Sequence, residues 1–441
     1  MPNQNEKLPE PTAPVVKFLR YAILALLATW ALVSLARIFQ QTLSPAGGND
    51  LYTYWYAGHF LREGKDPFQA FIAGELPSVP VHYLDRTVTS LDKILFAGLV
   101  PAPVSTPAAF YLFAPLAFLS WKTAKLVWLA ANLLFLGLIP MLLIRFFPLR
   151  RWLEPPEVIG LGCLMVGLTS TRYAAASGQV TFLILDLMLG TVILAARRPW
   201  LAGVLLGLAL SKYSLSIGLL VLFVLIEPRP KLILGAALVQ LAGVVALMLH
   251  TGTGPVAFTK EYAQMVSLHA SMEGIHLAGL FPRSGLDAWI GLGLTVAVAI
   301  PLVIWRLGLG RHWSQPLPDL SRSVLAVLLS MWALLAVYHR AYDAMVMILF
   351  LALVATLAWH PENWSLSKKG LISLLAFGAL AGFLLIIPSG GVVRGLLPGF
   401  LKNLWGQAAD LTTTFLITGA LIATFFLLFR LRVGSLQPRS L

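Results

Sequence analysis

An all-α, polytopic membrane fold is what this sequence predicts, on three observations. The 441 residues are 58% hydrophobic and only 12% charged, with a mean hydropathy of +0.81, whereas a soluble domain keeps about a quarter of its residues charged. Apolar runs near the length needed to cross a hydrocarbon core of about 30 Å recur along the whole chain. Lys and Arg fall mainly in the short connections between those runs, which is how membrane orientation is encoded. Together these exclude a secreted enzyme, a cytosolic enzyme and a disordered scaffold.

The first run, 18–39, follows Lys17 and Arg20 and closes on Arg37-Ile38-Phe39-Gln40-Gln41. It lacks a small-residue cleavage pattern and is expected to stay as the first span. Residues 40–121 then form a long external loop with interfacial or re-entrant helices. Within it, 106–119 is too short to cross and is bracketed by Pro107 and Pro115. Spans follow at 122–145, 157–174, 178–196, 231–250, 286–305, 322–338, 342–359, 370–387 and 411–430. The run 199–226 is expected to cross twice, because Ser211-Lys212-Tyr213-Ser214 interrupts its middle and favours two half-helices meeting at a polar break. About 12 spans result, in one domain over 1–441 that ends in a cytoplasmic tail, 431–441. With both termini inside, Arg145, Arg150-Arg151, Arg197-Arg198, Arg229, Lys231, Arg306, Arg311, Lys368-Lys369, Arg430 and Arg432 share the inner face.

The net charge of +13 does not point to nucleic acid, since no Lys/Arg run exceeds two residues. Cys163 is the single cysteine, so no intrachain disulfide forms. His82, His250, His269 and His276 lack metal-ligand spacing, and no P-loop is present. No metal or cofactor is expected.

The chemistry is expected on the external side. Asp50 opens NDLYTYWYAGHFLREGKDPF, residues 49–68. Asn49 or Asp50 can cap a helix that starts here, or the Asp50 carboxylate can act chemically, standing on one face with Tyr54, Ala57, Gly58 and Leu61. Tyr52, Trp55, Tyr56 and Phe60 are expected to form an aromatic belt at the outer interface. Arg172 and Gln179 flank an outer turn, Lys212 sits at the break, and Tyr338-His339-Arg340-Ala341-Tyr342-Asp343 makes another turn. Singly, each has a structural role: Arg172 and Lys212 can snorkel, Gln179 can cap, His339 can lie at the interface. Gathered on one membrane face, cations beside carboxylates suit an anionic lipid headgroup, a phosphate with its tails in the bilayer. Asp186, inside a span, is expected to face inward with its carboxyl hydrogen-bonded.

An ordered set of segments resembles the polytopic GT-C glycosyltransferases of family 87, which include mycobacterial α-1,2-mannosyltransferases of phosphatidylinositol mannoside synthesis. The set comprises Asp50 with Tyr52 to Tyr56, Ala57, Gly64 and Asp66-Pro67-Phe68, then 105–135, SGQVTFLILDLML at 177–189, AGVLLGLALSKYSLSIGLL at 202–220 and YHRAYDAMVMIL at 338–349. The resemblance implies transfer of a hexose, mannose first, from a polyprenyl-phosphate donor to a lipid-linked or glycan acceptor at the outer face of a bacterial plasma membrane. It implies Asp50 as catalytic base and Lys212, His339 and Arg340 on the donor phosphate. Tyr54, Arg172, Gln179, Tyr342 and Asp343 would line the pocket. This chain reads Lys212-Tyr213 where many relatives have Lys-Pro, and Tyr-His-Arg-Ala-Tyr-Asp where the mycobacterial type has a Trp-Asp-His-His-like turn. One carboxylate suffices for inversion without a metal, because a phosphate ester leaves without a general acid. A transporter using Lys212 and Asp186, and a non-catalytic lipid-binding protein, are the alternative readings.

Overall fold

A computed structural model describes residues 14–44, 47–73, 75, 82–83, 86–87, 105–147, 155–270, 287–308, 317–337, 339–359, 364–386 and 399–431. Tyr338, His276, the basic Arg150-Arg151, Arg311 and Arg432, and most of the tail at 431–441 lie outside the described residues.

The described residues are almost wholly helical, as expected from a chain that must satisfy its backbone without water. The helices are α1 (Pro14–Leu43), α2 (Asn49–Arg62), α3 (Pro67–Ile72), α4 (Pro107–Phe113), α5 (Trp121–Phe146), α6 (Pro155–Gly167), α7 (Thr169–Ala176) and α8 (Thr181–Leu194). They continue with α9 (Pro199–Ala209), α10 (Tyr213–Val221), α11 (Pro230–Thr251), α12 (Pro255–Ala270), α13 (Asp287–Gly308), α14 (Asp319–Ala336), α15 (Ile348–Trp359), α16 (Lys368–Ile386) and α17 (Gly399–Arg430). A two-residue hairpin, His82–Tyr83 with Arg86–Thr87, and an isolated bridge between Trp364 and Leu431 depart from this among the described residues. Short 3₁₀ segments at Ala114–Phe118, Leu210–Lys212 and Ala341–Met347 punctuate the helices.

Among the described residues, eight helices are long and apolar enough to cross a membrane, and the pair 158–167 and 169–176, bent by 65°, makes a ninth candidate. The expected twelve crossings further require Thr181–Leu194, Tyr342–Ala358 and the two limbs of 199–226 each to cross. Those pieces are shorter than the roughly 20 residues of a full span. By length alone Pro199–Ile226 is a single 28-residue candidate, but its contacts fold it back. Leu232 and Gly235 lie against Gly203, and Gln240 Nε2 donates to Gly207 O at 2.5 Å, so α11 runs in the same direction as α9. A straight rod would carry Ile226 about 35 Å from Gly203, farther than the six residues to Leu232 could return, about 20 Å. The reversal is at Lys212 (φ −117°, ψ 72°). There Ser216 Oγ reaches back seven residues to donate to Ala209 O at 3.0 Å. The basic pairs on either side of this element, Arg197-Arg198 and Arg229 with Lys231, consequently share one end of the molecule.

At that same end Glu227 ties three elements together. Its Oε2 accepts from Arg322 Nε at 2.8 Å and its Oε1 from Arg322 Nη2 at 2.9 Å, from Leu317 N at 3.2 Å and from Arg229. Arg306 Nε donates to Ile226 O at 3.1 Å beside it. All of Glu227, Arg306 and Arg322 are buried, so each charge has exchanged water for a partner.

Two expectations are corrected. The aromatic side chains of α2 form no exposed belt: Tyr52, Trp55, Tyr56 and Phe60 are buried. Trp55 Nε1 donates to Leu119 O at 3.1 Å and Tyr56 Oη to Glu75 O at 2.7 Å, while Tyr52 packs edge-on against Trp121. Residues 105–121 fold back over α2 and make its rings a core of their own. Asp186, in α8, is buried, but neither carboxyl oxygen has a hydrogen-bond partner among the described residues.

Candidate active site

Helix α2 is held at its start by backbone. Gly48 is the residue before it, in the left-handed region at φ 78°, and no side chain caps the helix, so neither Asn49 nor Asp50 serves as the cap. The turn after α7 does the work instead. Gly48 N donates to Ala176 O and Asp50 N to Ser177 O, both at 2.9 Å, and Trp128 Nε1 pins the turn by donating to Gly178 O at 2.8 Å. Gly178 has φ 74° and lies so close to α2 that a Cβ there would stand 2.7 Å from Leu51 Cβ. Only glycine fits both demands.

This docking brings Asp50 beside Gln179. Asp50 is 6% exposed, and burial raises its carboxyl above the ordinary carboxylate range. A hydrogen bond from the Gln179 side chain, the charge of Arg340, the Ser177 hydroxyl and the charge of Lys212 oppose that rise, in that order. Positions 179, 212 and 340, far apart in sequence, thereby act together on the carboxyl at position 50.

The cationic side is built on the break at Lys212. Its Nζ donates to Asp343 Oδ1 at 2.6 Å, Gln179 Oε1 at 3.0 Å and Thr181 Oγ1 at 3.0 Å, and it lies 5.1 Å from the Tyr342 ring centroid. Thr181 Oγ1 donates to Asp343 Oδ1 at 2.9 Å. Lys212 therefore does not snorkel to headgroups. Tyr54, one turn beyond Asp50, pairs its hydroxyl with Ser105 Oγ at 2.8 Å. Burial pushes its phenol up to about 12, with Asp50 and Asp343 adding to the effect and Ser105 opposing it, so it stays a protonated hydroxyl at neutral pH.

The remaining expected residues stand differently. His339 is 1% exposed and its Nδ1 is 2.8 Å from Val337 O. Arg172 is 5% exposed, with its guanidinium 5.1 Å from the Tyr173 ring and its Nε without a hydrogen-bond partner among the described residues. It belongs to α7, which packs on the Ala341–Met347 turn, so it too is buried rather than snorkelling. Thr181, Ser177 and Ser105 were not singled out from the sequence. Thr181 was legible in principle, two residues past Gln179 after a glycine turn, but a Thr at a helix start has an ordinary explanation.

A carboxylate held among an amide, a phenol and two cations, next to a buried arginine, can take a proton from an attacking hydroxyl while positive charge steadies a leaving anion. No match is found among the curated proteins. Residues 105–388 match glycosyltransferase family 87, a stretch that contains Arg172, Gln179, Lys212, His339, Arg340, Tyr342 and Asp343 and begins after Asp50 and Tyr54. With more than half of its length matched and a polytopic helical fold around the cluster, the chain belongs to glycosyltransferase family 87 and is an integral membrane protein.

Proposed function

We propose that the protein is an inverting hexosyltransferase that moves a sugar, mannose first, from a polyprenyl-phosphate donor to a lipid-linked or glycan acceptor at the external membrane face. One observation carries this reading: Asp50, a buried carboxylate on α2, is acted on by Gln179, Arg340 and Lys212 from three other elements. Asp50 accepts the proton of the incoming hydroxyl as its oxygen bonds to the anomeric carbon. The bond from that carbon to the phosphate oxygen breaks on the opposite face, and its electron pair leaves with the polyprenyl phosphate. The transition state is oxocarbenium-like, and no acid is needed for a leaving group that is already a weakly basic phosphate.

Arg340, Lys212 and His339 bind the donor phosphate, with Arg172 as a further buried cation near the same turn. Lys212 can turn toward a phosphate only by exchanging one of its three acceptors, so Arg340 carries the larger share of binding. Tyr54 and Tyr342 line the sugar pocket. The test is incubation of the full-length protein in proteoliposomes with radiolabelled polyprenyl-phosphate mannose and a lipid acceptor fraction. Transfer with inversion at the anomeric carbon supports the reading. A retained configuration overturns the single-base mechanism, and transfer of only another sugar overturns mannose.

A further inference from the structure

The Gln179 amide stands between the two charges the proposed reaction uses. Its Oε1 accepts from Lys212 Nζ at 3.0 Å, and an ammonium only donates, so this contact decides which end of the amide faces the lysine. With Oε1 taken by the lysine, the NH₂ end is the one left to face Asp50, whose carboxyl the Gln179 side chain acts to lower. The backbone enforces the same approach, since Asp50 N donates to Ser177 O at 2.9 Å and left-handed Gly178 leads directly into Gln179. Lys212 is itself anchored by Thr181 Oγ1 at 3.0 Å and Asp343 Oδ1 at 2.6 Å, and Thr181 braces Asp343 at 2.9 Å.

We infer that Gln179 is the positioning residue of the base: Lys212, anchored by Thr181 and Asp343, locks the amide so that it only donates to Asp50 and thereby selects that side chain's accepting, carboxylate form. A protonated Asp50 keeps a carbonyl oxygen that can accept from the amide, but an uncharged one, so the N–H donor favours the carboxylate as the stronger acceptor. The inference rests on the reading of Asp50 as base and adds a task for Asp343, which holds the lysine that holds the amide. The groups that act on Asp50 besides Gln179 and Ser177 are Arg340 and Lys212, with the Tyr54 phenol on its own helix and Asp343 behind Lys212.

Infrared difference titration of the full-length protein in nanodiscs tests this, with Asp50→Asn identifying the carboxyl band. Gln179→Leu is expected to raise the protonation midpoint of Asp50 by about one pH unit or more, a tenfold change in proton affinity. Gln179→Glu keeps the length and the acceptor for Lys212 but sets a second carboxyl against Asp50, and is expected to raise the midpoint further. An unchanged or lowered midpoint in either variant overturns the inference, and where Gln179→Leu does not fold, Gln179→Glu decides alone. The titration needs no sugar donor. Both shifts in a protein that transfers no sugar would support the positioning role while removing the glycosyl-transfer assignment for Asp50.

Discussion

Asp50 separates a chemical role from a structural one through the sign of a stability change. Its carboxyl is raised by burial, so between the ordinary carboxylate value, about 4, and the raised one the native chain binds more protons than the unfolded chain. Stability therefore falls as pH climbs through that window. Asp50→Asn cannot ionise and is expected to hold or raise the thermal midpoint at neutral pH while lowering turnover by roughly 10² to 10⁴. Calorimetry beside a transfer assay checks both halves. A lowered midpoint with turnover intact would leave Asp50 a structural role alone, in holding the 177–179 turn against α2. By the same protonation, turnover of the wild type is expected to fall on the acid side at a pH above that of a free carboxylate. Arg172→Gln is expected to weaken donor binding, measured by fluorescence titration with polyprenyl phosphate; an unaltered affinity would leave that buried cation outside the phosphate site.

At the scale of elements, the turn at 177–179 and the brace at Glu227 hold the site from opposite ends. Gly178→Ala asks an L-residue to adopt φ 74° and to meet Leu51, and is expected to cost more than the roughly 1–2 kcal/mol of the left-handed conformation alone. Denaturation in detergent should show it, with turnover falling as Asp50 loses its register. Breaking the Glu227–Arg322 pair by Glu227→Gln leaves the buried Arg322 with exposed Asp319 as its remaining carboxylate partner and is expected to cost up to about 3–5 kcal/mol, although the pair lies at the far end of α14 from Asp343. Apolar run length made most helices legible in the sequence, and a lysine amid apolar residues marked the break at 212. The pairing of Lys212 with Asp343, 131 residues away, was not legible, because nothing local distinguishes it from a lysine reaching for headgroups. The aromatic run of α2 misled for a related reason. Tyr and Trp have the composition of an interface belt, and only the fold of residues 105–121 over them turns that belt into core.

For the whole molecule, sidedness is the property to test. Asp50 is buried, so a cysteine there would resist labelling wherever it lies. Exposed Lys65, whose side chain is 45% accessible, and exposed Arg198 are better positions. In a Cys163→Ser background, Lys65→Cys is expected to react with a membrane-impermeant maleimide from outside and Arg198→Cys only after permeabilisation. The reverse pattern would invert the topology. Charge distribution predicts this orientation, and Arg197-Arg198 and Arg229 with Lys231 fall at one end once 199–226 doubles back. The order of helices in space was not readable, because lipid-facing and protein-facing sides of a hydrophobic helix differ little in composition.

The doubling back also sets a depth. Each limb rises only about 20 Å before it meets the reversal, about 10 Å less than the thickness of a 30 Å hydrocarbon slab. Under the proposed function, with both limbs starting at one interface, a long-chain isoprenoid would keep its tail among the acyl chains while its head dips into a polar well below the membrane surface. Extraction into water would form no part of the catalytic cycle.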